Sequence, residues 1–360
     1  MELTAQALDL TLNEPFRISR SVQHVAHNVL VHIEDDGLSG VGEAAPSGFY
    51  GEKCESVLMA LSYFADHLGN DASLIEDIAA DLSRVMRGNA SARAAIDMAL
   101  YDLMGQRLGV PVFQLLGLNP RRTPLTSFTI GLDTPAEMVR KVRQAAEFPV
   151  LKIKLGTQND LEIVRAIRDV TSAPLRVDAN AAWTPKQAIR TINALEPFAI
   201  EFVEQPVAAS DLEGLRLVRE HTTVPIFADE SCVTLEDVPR MAGRVDGINI
   251  KLMKCGGISQ ALKMIAAARA HHLQVMLGCM VESSVAITAA AQISPLVDYA
   301  DLDGALLVAN DPFDGVQVAQ GKLVLPERPG LGVRARASAT LPTAPIRARS
   351  ARIVSATEDE

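Results

Sequence analysis

Five charged residues recur along this chain at the spacing of a repeating structural unit. Lys154, Asp178, Glu204, Asp229 and Lys251 follow one another at intervals of 24, 26, 25 and 22 residues, and 50 residues further on stands Asp301. Each ends or follows a short apolar run. A strand buried on both faces is apolar, so a charged residue at the end of strand after strand puts a ring of charge at one mouth of the sheet. Asp178, Glu204 and Asp229 would bring hard oxygen donors from three neighbouring strands. Such a set suits a divalent cation with open coordination positions, Mg²⁺ best and Mn²⁺ next. Any one of the three taken alone reads as an ordinary carboxylate before a loop; their common phase is what points to a site. Crowded together without a cation, they would raise one another's pKa.

Lysines bracket the carboxylates. Lys152 and Lys154 are two residues apart, so on a strand both face the same way, with Lys154 at the mouth and Lys152 one layer deeper. Lys251 enters from another strand across the ring. Two amines on opposite sides of one metal-bound carbon are what a two-base proton transfer needs. A lysine at its ordinary pKa of about 10.4 is a poor base at neutral pH, and a dication or a second lysine nearby lowers that value. Lys152 is placed to do this for Lys154, or else to serve as a buried ion-pair partner. Lys254, three residues past Lys251, reads as a loop or helix-start cation. Asp301 and Asp303 share a face at the end of the last strand, where a carboxylate pair would bind a cationic group such as an ammonium. The alternative there is a solvated turn.

Positioning these residues requires a repeated strand–helix order, and the chain supplies it from about residue 126. Short apolar runs at 126–130, 150–154, 175–178, 202–204, 225–228, 247–251, 275–277 and 299–301 alternate with amphipathic stretches. Helix starts carry capping boxes: Thr134 with Glu137, Thr184 with Gln187 and Ser210 with Glu213. The first two place proline at the first helical position. After Gly257, the residues Leu262, Ile265 and Ala266 predict the buried stripe of a further helix. Eight strands and seven helices predict a (β/α)-type barrel, whose active sites lie at the C-terminal mouth. The rival open doubly wound sheet would carry a glycine fingerprint in its first strand–helix turn. Only Gly37, Gly40 and Gly42 come near it, with the wrong spacing, and they read as turn glycines. Ahead of the barrel, alternation at 8–12 and 28–33, with the hairpin signal Asp35-Asp36-Gly37, predicts a small antiparallel sheet. Residues 52–106 predict helices, the best over 91–108.

The 360 residues carry 34 basic and 44 acidic side chains, a net charge of −10, and 48% are hydrophobic. That composition supports a large buried core and excludes a disordered chain. An acidic chain repels a phosphate backbone, so nucleic acid is not an expected partner. The most apolar late stretch, 273–297, is interrupted by Glu282 and small polar residues, and no membrane span is expected. The opening Met1-Glu2-Leu3-Thr4 lacks a basic, apolar-cored leader, and four scattered cysteines form no metal or disulfide spacing. A reduced, cytoplasmic protein is expected. Past Arg334 the chain turns rich in Ala, Ser and Arg and predicts a surface appendage, or alternatively a partner-binding arm.

Taken together, Lys152-Ile153-Lys154, Val177-Asp178-Ala179-Asn180, Glu204-Gln205-Pro206, Ala228-Asp229-Glu230-Ser231 and the Ile-Lys-Leu-Met-Lys-Cys-Gly-Gly run at 250–257 resemble the muconate-lactonizing subgroup of the enolase superfamily. Asp301-Leu302-Asp303 resembles the paired-aspartate signature of its dipeptide epimerases. The resemblance covers about residues 3–335. It implies an α/β fold, a modified TIM barrel of (β/α)7β form. An α+β capping domain would occupy 1–120, the barrel 121–310, a segment returning to the cap 311–335 and a tail 336–360. It implies Asp178, Glu204 and Asp229 as Mg²⁺ ligands, with Mn²⁺ possible, and Lys154 and Lys251 as the acid/base pair. An enediolate stabilised by the cation would lie between the two proton transfers. Asp301 and Asp303 would seat the dipeptide's α-ammonium, and Lys152 would join the substrate-binding set.

By the same resemblance, a mobile cap loop containing Arg17-Ile18-Ser19-Arg20 would close over the substrate. After a one-residue gap, Arg20 is similar to an arginine that holds a glutamate side chain, a task suited to the guanidinium fork. Phe49 and Tyr50 would instead line an apolar pocket. The expected activity is 1,1-proton transfer at the α-carbon of the C-terminal residue of a dipeptide, L-Ala-D/L-Glu for example, in a homo-oligomer. The alternatives are a cycloisomerase, an o-succinylbenzoate synthase or an N-acyl amino-acid racemase of the same subgroup; the first two need no ammonium seat. A non-catalytic ligand-binding barrel is the remaining rival, and the intact lysine pair and carboxylate trio argue against it.

Overall fold

The computed structural model describes residues 1–337 and the backbone of a short strand, Ile346–Arg347, so the expected tail over 336–360 lies almost entirely outside the described residues. Three antiparallel strands open the chain: β1 (Glu2–Ile18), β2 (Ser21–Asp35) and β3 (Leu38–Ala44), with Ile346–Arg347 paired to β1. Both faces of this sheet are covered. Leu3 and Ala5 of β1 and Val29, Val31 and Ile33 of β2 pack with the helices α1 (Cys54–Phe64), α2 (Ile75–Val85) and α3 (Ala90–Leu108). Leu8, Leu10 and Leu12 of β1 belong to the barrel's core, as do Ala26 and Leu30 of β2. Strand side chains alternate with period two, so the change of phase between Ala5 and Leu8 hands β1 from one core to the other.

The glycine cluster is a packing feature, which corrects its reading as a turn. Gly40 and Gly42 lie within β3, where an added Cβ would stand 2.0 Å from the Ala99 carbonyl oxygen and 1.9 Å from that of Ala95 in α3. Helix and strand approach too closely there for any side chain. Only Gly37, at φ 79°, sits in the hairpin turn.

Beyond α4 (Val112–Leu115), eight parallel strands pair in chain order: β4 (Phe128–Ile130), β5 (Leu151–Lys154), β6 (Leu175–Asp178), β7 (Ile200–Glu204), β8 (Ile226–Ala228), β9 (Gly247–Lys251), β10 (Gln274–Gly278) and β11 (Tyr299–Asp301). A bridge between Thr126 and Ala300 closes the ring. Seven helical connections alternate with them, formed by α5 (Pro135–Gln144), α6 (Asp160–Arg168), α7 (Pro185–Leu195), α8 (Leu212–Glu220), α9 (Val238–Met241), the broken pair α10 (Leu252–Cys255) and α11 (Ile258–Ala270), and α12 (Ser284–Ile293). This is the expected (β/α)7β order.

Thr134 and Thr184 cap α5 and α7 through the N–H groups of Glu137 and Gln187. The third start differs from expectation. Asp211, not Ser210, caps α8, its Oδ1 accepting the Gly214 N–H at 2.8 Å; a carboxylate is both a strong acceptor and favourable at the helix's positive end. In α11 the buried stripe is Ile258, Ala261, Met264, Ile265 and Ala268, while Leu262 is only partly buried and Ala266 faces outward. The start at Ile258, directly after Gly257, sets that phase.

Inward side chains fill the barrel in two layers. Arg176, Phe202, Phe227, Met276 and Tyr299 make the floor: Phe202 and Phe227 stack at 4.3 Å, and the Arg176 guanidinium lies over Phe202 and Tyr299. Two residues further along each chain segment come Asp178, Glu204, Asp229, Gly278 and Asp301. After β11 the chain returns toward the cap, where the Leu331 N–H donates to Asp102 Oδ1 of α3 at 2.7 Å. Among the described residues no helix is long and apolar enough to cross a membrane.

Candidate active site

Strand register sets the height of the charged ring. Lys154 of β5 pairs with Asp178 of β6, and Asp178 with Glu204 of β7, so three ring members stand at one level. Asp229 directly follows β8, and Lys251 ends β9. All five are buried. Amines lie between the carboxylates. Lys154 Nζ donates to Asp178 Oδ2 at 2.6 Å, and Lys251 Nζ to Asp229 Oδ2 at 2.8 Å. Lys152 Nζ donates to Asp301 Oδ2 at 2.7 Å and lies 2.7 Å from Glu204 Oε2 and 3.2 Å from Asp178 Oδ2. Of the two readings open for Lys152, the structure takes the ion pair: three carboxylates already match its charge.

These partners set the charge states. Burial works to raise Asp178, Asp229 and Asp301. Lys154 and Lys152 outweigh it at Asp178, Lys251 and Lys254 at Asp229, and Lys152 at Asp301, and all three carboxyls are held low. Glu204 goes the other way: burial, then the charge of Asp178, pushes it up to about 8. Burial opposes charge on Lys152 and Lys251, yet the surrounding carboxylates hold both amines well above their ordinary value.

Three buried oxygens here have no hydrogen-bond donor, Asn180 Oδ1, Glu230 Oε2 and Asn249 Oδ1, and Glu204 Oε2 has only the Lys152 amine, at 2.7 Å. Unpartnered hard oxygens beside carboxylates from three strands fit an oxygen-binding divalent cation. Among the described residues no three carboxylates, imidazoles or thiols are drawn into one cage, because the lysine amines stand between them.

Asp301 and Asp303 are buried rather than set in a solvated turn. Asp301 Oδ1 accepts the Ser127 hydroxyl at 2.7 Å, and Asp303 Oδ2 accepts the Thr129 N–H at 2.6 Å. Burial, with the charge of Asp301, pushes Asp303 up to about 7. Above the ring lies a cavity of about 530 Å³ walled by Lys154, Lys251, Asp301 and Asp303 from the barrel and by Arg20 and Tyr50 from the cap. Arg20, at the β1–β2 turn, reaches across to the barrel. Its Nη1 donates to the Asn180 carbonyl at 3.0 Å, its Nη2 lies 2.8 Å from Glu230 Oε1, and its guanidinium carbon stands 4.4 Å from the centre of the Phe49 ring.

Lys254 corrects the sequence reading most sharply. It is buried in α10, and its Nζ donates to Asp229 Oδ1 at 2.6 Å and to the carbonyls of Asp229, Cys232 and Asn249. It is a clamp on Asp229, and these acceptors compensate the burial of its charge. Asn249 lies one layer below the ring, level with Met276, and its Nδ2 donates up to Glu204 Oε1 at 2.7 Å. Alternation along β9 would have found it, since it stands two residues before Lys251. Gly278 makes room for it, as a Cβ there would lie 2.6 Å from the Asn249 amide. No spacing marks Glu230, whose partner Arg20 comes from the cap.

A charged ring at the C-terminal mouth of a (β/α)7β barrel, closed by an α+β cap, defines an enolase-superfamily architecture. Residues 2–117 match the mandelate racemase / muconate lactonizing enzyme N-terminal domain, and residues 135–339 match the enolase C-terminal domain-like family. The chain belongs to the mandelate racemase / muconate lactonizing enzyme family. The L-Ala-D/L-Glu epimerase of Bacteroides thetaiotaomicron is 42% identical to it, over 92% of this chain and 88% of that protein. The dipeptide epimerase of Enterococcus faecalis V583, solved with Mg and the dipeptide L-Leu-L-Tyr, superposes with a TM-score of 0.89 at 38% identity, covering 92% of this chain and 98% of that one. The dipeptide epimerase of Cytophaga hutchinsonii, solved with Mg and D-Ala-L-Val, gives a TM-score of 0.90 at 32% identity, covering 94% and 96%.

Proposed function

We propose that this protein is a Mg²⁺-dependent dipeptide epimerase that inverts the α-carbon of the C-terminal residue. The observation that carries the reading is the pair of amines on β5 and β9, Lys154 and Lys251, each bound to a ring carboxylate and both lining one cavity. In this reading Asp178, Glu204 and Asp229 hold the cation, Mg²⁺ in preference to Mn²⁺. When bound, the dication supplies the positive charge that stabilises the substrate carboxylate as its α-proton leaves. Lys154 and Lys251 move the proton: one removes it from one face and the other returns a proton to the opposite face. Lys152 stays charged and orients Asp178, Glu204 and Asp301, while Lys254 fixes Asp229. Asp301 and Asp303 face the dipeptide's α-ammonium, with the Thr129 N–H orienting Asp303. Arg20 faces the side chain of the C-terminal residue, and an acidic one, as in L-Ala-D/L-Glu, suits its guanidinium. The working unit is a cap over 1–120 on a barrel over 121–310, with 311–335 returning to the cap, in a cytoplasmic homo-oligomer.

A second reading, an N-acyl amino-acid racemase, is favoured by one observation. Asp301 already has Lys152 as its cation, and burial with the charge of Asp301 pushes Asp303 up, which favours its neutral form, a donor to an acyl oxygen. The test is deuterium uptake from solvent at Cα, followed by mass spectrometry, for dipeptides and their N-acetyl forms with added Mg²⁺. Label and both epimers are expected from free dipeptides. Label from N-acyl substrates alone moves the reading to the racemase, and no label from either overturns it.

A further inference from the structure

We propose that a second cavity, beside the first, receives the side chain of the substrate's N-terminal residue and selects for a large apolar one; this rests on the dipeptide reading above. The cavity measures about 400 Å³ and lies between β1 of the cap and the β4–α5 unit of the barrel. It shares Phe16, Thr129 and Leu307 with the cavity over the charged ring. Those three residues border both spaces, which meet along them.

An irregularity in β1 builds the outer wall. Pairing with β2 breaks between Thr11 and Phe16. The freed stretch crosses to the barrel instead: Leu12 bridges to Val308, and Asn13 Nδ2 donates to the Leu306 carbonyl at 3.1 Å. Pro15 lies in that stretch and has no N–H to lose. Breaks of this kind are frequent beside active sites, where they re-aim the chain. The floor is apolar, with the Phe128 and Phe148 rings stacked at 4.5 Å beside Ile130 and Ala145. Of the three charged lining residues, Lys141 is matched by Asp133 at 3.1 Å and Glu14 by Arg140 at 2.9 Å, and Glu147 is exposed to solvent. The space therefore suits hydrocarbon.

Its position ties it to the substrate. Thr129, whose N–H holds Asp303 at 2.6 Å, also borders both spaces. An ammonium seated at Asp301 and Asp303 has its own α-carbon within one residue's reach of Thr129. The charged ring fills the direction of the metal carboxylates, so the side chain on that carbon leaves toward Phe16 and Leu307.

Gly131 provides the test. It lines the second cavity, its φ is not positive, and an added Cβ would approach Arg17 and Phe16 no closer than 3.4 Å. Gly131→Ala therefore places its methyl in ordinary contact beside the Phe16 ring and the Arg17 backbone, and Gly131→Val carries two more carbons into the same region. The reading is the ratio of kcat/KM for L-Leu against L-Ala at the N-terminal position, with the C-terminal residue fixed. One methylene in a fitted apolar pocket is worth about 10- to 200-fold, so the wild-type ratio should exceed about 10. It should fall at least about tenfold in Gly131→Val and by less in Gly131→Ala, with thermal melting establishing that both variants fold. A wild-type ratio near one, or a ratio unmoved by Gly131→Val, overturns the inference. Deuterium exchange from dipeptides without any preference for N-terminal size defeats the cavity assignment alone, whereas absence of exchange from every dipeptide defeats the proposed function.

Discussion

Two sets of buried carboxylates divide this molecule, and they behave in opposite ways. At the barrel mouth, Asp178, Asp229 and Asp301 are bound by lysine amines and held low. At the seam between cap and barrel, neutral donors do the binding. Asp97 accepts the Ser259 hydroxyl and N–H at the start of α11, Glu43 accepts the Ser283 hydroxyl and N–H at the start of α12, and Asp102 accepts the N–H groups of Val41 and Leu331. There burial dominates, pushing Asp97 up to about 7, Asp102 to about 6 and Glu43 also upward. Equal burial thus gives opposite protonation, and the partner decides which. Neutral donors are enough to align helix starts; a site that moves protons needs fixed charge. Glu204 is the ring carboxylate pushed up to about 8, because the one amine near it, Lys152, is shared with Asp178 and Asp301, which marks where a cation adds most.

The contrast breaks first, and most visibly, at the lysines. Lys154→Ala and Lys251→Ala should each lower kcat for epimerisation by about 10²–10⁴-fold or more, the usual worth of a positioned acid or base. Each variant should retain Cα deuterium exchange from only one epimer. Interconversion at the wild-type rate in either would mean that the amines of the mouth are as structural as the donors of the seam.

Asp301→Asn comes next. It leaves Lys152 with Asp178 and Glu204 as partners but removes charge facing the substrate's amino end. The kcat/KM for free dipeptides should fall by about 1.5–3 kcal/mol, the worth of a hydrogen bond to a charged group. Wild-type enzyme should process an N-acetylated dipeptide poorly; equal rates for the two forms would remove the ammonium from the scheme.

The seam is probed by pH. Asp97 has a folded-state pKa raised from 3.8 to about 7, so folding tightens its hold on the proton. The stability this contributes is present in full below about pH 4 and lost as pH rises through about 7. Between about pH 5 and pH 8 the wild type should lose on the order of 1–3 kcal/mol relative to Asp97→Asn, read from denaturant midpoints. Asp102 and Glu282, raised to about 6 and about 8, push the same way. Parallel pH profiles for wild type and variant would show an ionised seam and erase the contrast.

The mouth was legible in the sequence because the length of a βα unit fixes the interval between strand ends and alternation fixes the face. That is why the intervals from Lys154 to Lys251 pick out one ring. The seam was not legible, because its donors are remote: Ser259 stands 162 residues from Asp97, and Ser283 stands 240 from Glu43. Nothing local separates such carboxylates from exposed ones. Lys254 was misread for a similar reason, since the loop after β8, which supplies most of its acceptors, is more than 20 residues away. The choice of Asp211 over Ser210 as the α8 cap is a shift of one residue, below what pattern resolves. Gly40 and Gly42 looked like turn residues because the helix that excludes their side chains lies more than a strand away in sequence.

The smallest effect belongs to Arg20, where the two regions meet. Its side chain is 34% exposed, and it pairs with Glu230, a buried carboxyl that burial and then the charge of Asp229 push up. The guanidinium is partly solvated and Glu230, already pushed up, can take a proton once the arginine is gone, so Arg20→Gln should change stability by about 1 kcal/mol. Two of the guanidinium's directions are used, toward the Asn180 carbonyl and toward Glu230, and Phe49 stacks against its plane. A guanidinium carries five N–H donors, which leaves some for a substrate carboxylate. In Arg20→Gln the KM for dipeptides ending in glutamate should therefore rise by up to about fivefold, while that for dipeptides with an apolar C-terminal residue should scarcely change. If both rise together, Arg20 reads no substrate charge, and its pairing with Glu230 is a latch between cap and barrel, a seam contact placed at the mouth.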